Sequence, residues 1–157
     1  MIRLSGTDII VTPLTATEKK VLEQVSLGRE VAAGASVLGM KPGTFSGHSG
    51  RIGLKLQVKG PAVKVQMGFV AGYLCLPEPI PLPEEFSDAE RRVWEAVALH
   101  GVAGDIARAA GVDQFDLPAA VADLMGKAGA VNVAHLVRLG HAFGILSKDA
   151  TPPPTVA

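Results

Sequence analysis

The sequence repeats itself, and that repeat limits the fold more than any other feature. Residues 14–76 overlay residues 86–148 at an offset of 72 without a gap. Thirteen of the 63 pairs are identical: Glu18/Glu90, Val21/Val93, Glu23/Glu95, Val25/Val97, Leu27/Leu99, Ala35/Ala107, Gly39/Gly111, Lys55/Lys127, Ala62/Ala134, Val65/Val137, Gly68/Gly140, Gly72/Gly144 and Leu74/Leu146. They are apolar positions at helical spacing, a charged residue beside a helix start and glycines suited to turns, so one helical unit is used twice.

Each copy opens on a capping box, Thr15-Ala16-Thr17-Glu18 and Ser87-Asp88-Ala89-Glu90, in which the hydroxyl accepts from the N3 amide and the glutamate accepts from the cap's own N–H. A first helix follows, with Val21, Leu22 and Val25 inward in copy one and Val93, Trp94 and Val97 in copy two. A second is predicted over Val31–Leu38 and Ala103–Ala110, stopped by Gly39 and Gly111, the residue type that takes positive φ beyond a helix end. The third begins near Pro42 in copy one. In copy two Pro118 lacks the N–H that an interior helical position needs, so the helix is expected to start late, at Leu117, with Asp116 as its cap and Pro118 in its first turn. Fourth helices are expected over Ala62–Leu74 and Ala134–Leu146.

Between the copies, residues 77–85 carry proline at 77, 79, 81 and 83. Alternating proline favours an extended strut, here roughly 28 Å long, which predicts copies held apart rather than fused. Residues 1–13 read as an extended N-terminal arm in which Ile9–Val11 pair as a short strand, and 149–157 as a disordered tail. The fold class is therefore all-α, with two tandem four-helix modules joined by a proline-rich linker.

Hydrophobic residues make up 48% of the chain and charged residues 19%, enough for a packed core and too apolar for a disordered chain. The longest apolar stretch, Met67–Leu76, has 10 residues, against the roughly 20 that span a bilayer, so no membrane partner is expected. The N-terminus has no secretory pattern, and the single cysteine, Cys75, suits a reducing compartment; a cytoplasmic location follows. Cys75 ends an apolar helix and is expected to be buried. His48, His100, His135 and His141 do not fall at metal-ligand spacing, and no nucleophile, base and orienting acid can be assembled from spacing. Neither metal, cofactor nor enzymatic activity is expected.

Residues 14–65 resemble the LuxR/FixJ-type DNA-binding domain through Leu14-Thr15, Glu18, Val21-Leu22, Val25, Gly28, Ala35, Leu38-Gly39-Met40, Thr44, His48, Ile52, Lys55-Leu56, Val58 and Ala62. They are also similar, less closely, to sigma-factor region 4. The first resemblance implies a helix-turn-helix made by helices 2 and 3, with helix 3 in the major groove of double-stranded DNA. It implies Lys41, Thr44 and Lys55 near phosphates, and Ser46, His48, Ser49 and Arg51 on the groove side. The family often carries basic or amide residues where Ser46 and Gly47 stand, and couples the domain to a receiver or ligand-binding module. None accompanies it here, so phosphorylation of a linked receiver is not expected to regulate it.

Charge separates the copies. Residues 14–75 hold eight Lys/Arg against three acids, a balance of +5, and residues 86–148 hold six against seven, a balance of −1. Five of those eight, Lys41, Arg51, Lys55, Lys59 and Lys64, lie between 41 and 64, where each neutralised phosphate adds salt-dependent affinity. Copy two has Asp113, Asp116 and Asp123 instead, and reads as a module for packing, dimerisation or a protein partner.

Two glycine patterns leave alternatives open. Gly43, Gly47, Gly50 and Gly53 each cost a helix about 1 kcal/mol relative to Ala, so this segment is either a marginal recognition helix or a glycine-rich loop. A phosphate-binding loop is disfavoured, since GxxxxGK[ST] is absent. Gly68/Gly72 and Gly140/Gly144 are four apart, as in close helix pairs; either they form an interface between the fourth helices or they fit each copy's own core. The leading functional expectation is a sequence-specific DNA-binding regulator acting as a homodimer. The alternative is a non-enzymatic adaptor.

Overall fold

A computed structural model describes residues 2, 3 and 10–153 of the chain. Eight helices make up the body: α1 Ala16–Ser26, α2 Val31–Leu38, α3 Pro42–Leu56, α4 Pro61–Val70, α5 Asp88–Leu99, α6 Ala103–Ala110, α7 Leu117–Ala128 and α8 Val133–Ala142. Ahead of them, β1 Ile2–Arg3 pairs antiparallel with β2 Ile10–Val11; the rest of the arm before Ile10 lies outside the described residues. The architecture is all-α apart from this pair.

Local chemistry sets the helix ends. Both capping boxes form, Thr15 with Glu18 and Ser87 with Glu90, each contributing on the order of 1 kcal/mol. Gly39 and Gly111 end α2 and α6 at φ 68° and 72°. The chain then bends back with Met40 N–H on the Ala35 carbonyl and Val112 N–H on that of Ala107. α7 starts late, at Leu117, with Pro118 in its first turn. The expected Asp116 cap is not made, however: its carboxylate bonds nothing at the helix start, and Asp113 organises the turn by accepting from Phe115 N–H and, through its carbonyl, from Asp116 and Leu117.

The fourth helices are shorter than the apolar run suggests. α4 stops at Val70 and α8 at Ala142, because Gly72 and Gly144 take φ of 80° and 74°. Tyr73 N–H and Ile145 N–H then close back onto the Gly68 and Gly140 carbonyls, the Schellman arrangement that satisfies carbonyls at a helix end. Cys75 consequently lies beyond the helix, after buried Leu74, and is exposed rather than buried.

The expectation of separated halves is overturned. α4 packs along α8, α1 touches α8, and α5 touches α4, a reciprocal pattern around one joint. The core is continuous through it, from Val21 and Ile52 to Trp94 and Val137. The physical reason lies in α4, where Ala62, Val63, Val65, Gln66, Met67, Gly68 and Phe69 are all buried. A helix buried over so much of its surface needs cover on more than one side, and beyond its own half α8 supplies it, with His141 against Phe69 and Gln66. The proline-rich segment runs past this joint without spacing it, Ile80 N–H bonding the Ala142 carbonyl.

Polar groups seal the joint. Gln66, fully buried, accepts at Oε1 from His141 Nε2 at 2.7 Å, and its amide donates to the carbonyls of Ser147 and Ala150 at 2.9 and 2.8 Å. The start of the expected tail is thereby anchored, and Pro152 is buried; residues 154–157 lie outside the described residues. Arg138 Nη1 donates to Ser26 Oγ at 2.8 Å, and Asn132 Nδ2 to the Gly28 carbonyl at 3.1 Å.

Candidate nucleic-acid interface

α2 and α3 are joined by three residues, Gly39 to Lys41. They pack closely because Gly34 has no side chain: a Cβ there would stand 2.7 Å from the Phe45 ring. α3 is one continuous helix through Gly43, Gly47, Gly50 and Gly53, so the segment is not a loop. Its inner face, Phe45, Ile52, Gly53 and Leu56, is buried against its neighbours, which hold it helical despite its glycines.

The outer face is open. Gly43, Thr44, Ser46, Gly47, Gly50, Arg51 and Leu54 are exposed, and a Cβ at Gly43 or Gly50 would meet nothing within 4 Å. The face is therefore backbone-rich and thin, with Arg51 as its one long cation. Arg51 Nη2 lies 3.1 Å from His48 Nδ1, so these two act together. Lys41, exposed, precedes Pro42 at a helix start with no side-chain cap, which leaves the first amides of α3 open to an anion. No carboxylate occurs between residues 31 and 56.

The eight residues expected at DNA divide into two groups. Lys41, Thr44, Ser46, His48 and Arg51 lie on or beside the open face, Arg51 with its Nε 3.9 Å from Glu18 Oε2, and Lys59 is exposed in the turn after α3. Ser49 and Lys55 turn elsewhere. The Ser49 carbonyl and hydroxyl accept from Lys64 Nζ at 2.9 and 3.4 Å. Lys55 Nζ donates at 2.7 Å to Glu18, whose side chain is only 2% exposed. Burial raises the Glu18 pKa, but the bonds from Lys55 and Thr15 outweigh it and hold the carboxyl below its ordinary value. Lys64, packed over Gly53, has its ammonium pKa lowered by burial. The Glu18–Lys55 bond has a counterpart in Lys127 to Glu90 at 2.9 Å. Its recurrence at offset 72 was the signal in the sequence for a structural role.

The glycines expected at an interface between fourth helices serve their own halves. A Cβ at Gly68 would strike Leu22 and Leu74, and one at Gly140 would strike Leu146 and Trp94, while Gly72 and Gly144 have nothing within 4 Å. The fourth helices do meet, but through side chains such as Phe69 and His141, whose rings stand 4.3 Å apart.

Among the described residues there is no group of three or more side chains suited to a metal ion, and no helix is long and apolar enough to cross a membrane. No protein-family model, no curated protein and no solved structure matches this chain.

Proposed function

We propose that the chain is a sequence-specific DNA-binding transcriptional regulator built from two tandem helix-turn-helix modules of LuxR/FixJ type, reading double-stranded DNA through α3. The observation that carries this reading is the outer face of α3, open along its length, with no carboxylate in its own sequence and edged by Lys41 and Arg51. The bare glycines let the helix backbone come close to a groove wall, Arg51 offers a planar fork to a base edge or phosphate, and Lys41 with the uncapped amides of α3 holds a phosphate. The second half, without a basic face, serves packing, dimerisation or a partner.

Fluorescence anisotropy against mixed-sequence duplex DNA at 50 and 200 mM salt tests the reading. Each phosphate contact adds about 0.9 to the slope of log affinity on log salt, so Lys41→Ala should lower that slope by roughly one. Arg51→Ala should cost about 5- to 150-fold in affinity, as expected for loss of a base or phosphate contact worth about 1–3 kcal/mol. Absence of binding at the lower salt would remove the proposal. It would favour an adaptor that binds protein instead, a second reading supported by the exposed apolar side chains Leu54 at 80% and Phe115 at 91%.

A further inference from the structure

Two cavities flank the joint between the halves, in corresponding places. One, of about 480 Å³, is lined by Val25, Phe45 and Ser49 and closed from the other half by Val133 and Ala134. The other, of about 300 Å³, is lined by Val97, Leu117 and Val121 and closed by Pro61 and Ala62. Each of these residues stands at offset 72 from its counterpart, and Pro61 and Val133 belong to both walls.

The second cavity departs from the first in chemistry and reach. The first is edged by Arg29 and Glu30; the second has no charged side chain in its wall, and His100 is its one polar side chain. It also extends between α6 and α7 to Ile106 and Met125. Ile106 corresponds to Gly34, where the first half is closed by a phenyl ring, that of Phe45. In the second half Leu117 replaces that ring, and α6 does not pack on α7 as α2 packs on α3. The glycine and ring that meet in the first half are thus an isoleucine and a leucine in the second, and their side chains line a wholly apolar stretch of wall.

We infer that the cavity between α5, α6 and α7 is a binding site for a small uncharged aromatic molecule with one hydrogen-bonding group, its ring against Val97, Ile106, Leu117 and Met125 and its polar atom toward His100. Size agrees: an apolar cavity of about 150 Å³ holds benzene, and twice that volume holds a fused two-ring compound. The site does not depend on α3 meeting DNA.

Titration of the full chain with indole, followed residue by residue in amide NMR spectra, tests this. Saturable shifts are expected at Gly101, Ile106 and Val121. Val121→Phe and, as a second filling change, Ala122→Phe should each weaken binding at least tenfold while melting no lower than the parent. Ala32→Phe, in the neighbouring cavity, should leave it within twofold. Shifts that never saturate, shifts centred on exposed Phe115, or affinity unchanged in a folded filling variant would overturn the assignment. So would lining signals that move with protein concentration alone and stop moving in Phe115→Ala, because the occupant would then be a second copy of this chain.

Discussion

Two lysines at matching positions do unequal work. Lys55 faces a carboxylate that is 2% exposed, whereas Lys127 faces Glu90 at 30%. Removing one partner of a buried pair leaves a desolvated charge, a loss of about 3–5 kcal/mol when burial is complete; a solvated pair is worth under about 1 kcal/mol. Lys55 is itself 25% exposed, and Glu18 keeps Arg51 Nε at 3.9 Å and the Thr15 N–H at 2.8 Å, so Lys55→Met should cost about 2 kcal/mol and Lys127→Met less than about 1 kcal/mol. Urea denaturation of the two variants checks this, and equal losses would refute it. The Glu18 carboxyl titrates below its ordinary value of 4.5 in the folded chain. Its contribution is therefore present above pH 4.5 and lost as pH falls through that lowered value.

At the scale of the helix, Gly34 decides how α2 meets α3. A Leu there must displace the Phe45 ring, which is only 1% exposed, and overpacking of this kind costs about 1–3 kcal/mol. Gly34→Leu should lower the melting midpoint, and Gly34→Ala should lower it less, since the ring has the adjoining cavity to move into. The same helices show what was legible beforehand. Capping boxes and the glycines at 39 and 111 act through bonds within a few residues, so the starts of α1 and α5 and the ends of α2 and α6 could be read from neighbours alone. The fourth helices could not be read so well, because a glycine four residues from another looks the same whether it lines a contact or ends a turn. The direction of Lys55 was harder to see, since a cation in a helix near an expected groove looks ordinary, and only the joint recurrence of Glu18 and Lys55 at offset 72 pointed to the carboxylate 37 residues earlier that takes it.

Over the whole molecule, the least legible feature was the joint. A stretch with proline at every second position suggests distance, yet what brings the halves together is the burial of α4 from Ala62 to Phe69 on more than one side, which no linker composition reports. Within that joint burial pushes the His141 imidazole down to about 4, and burial, then Arg138, lowers His135. A histidine whose folded value is depressed favours folding above its ordinary value of 6.5, and that advantage is lost as pH falls from 6.5 toward about 4. The thermal midpoint should drop over this interval, and His141→Gln, which keeps an amide donor toward Gln66, should flatten part of the drop. Superimposable curves for parent and variant would show that the imidazole is not responsible.

The exposure of α4 after any cut in the linker has a practical side. A fragment ending near residue 76 would strip from α4 the cover that α8 gives it, leaving Phe69, 2% exposed and stacked near His141 in the intact chain, open to water. Such a fragment should clump or bind detergent, and a failure of that piece to recognise DNA would say nothing about α3.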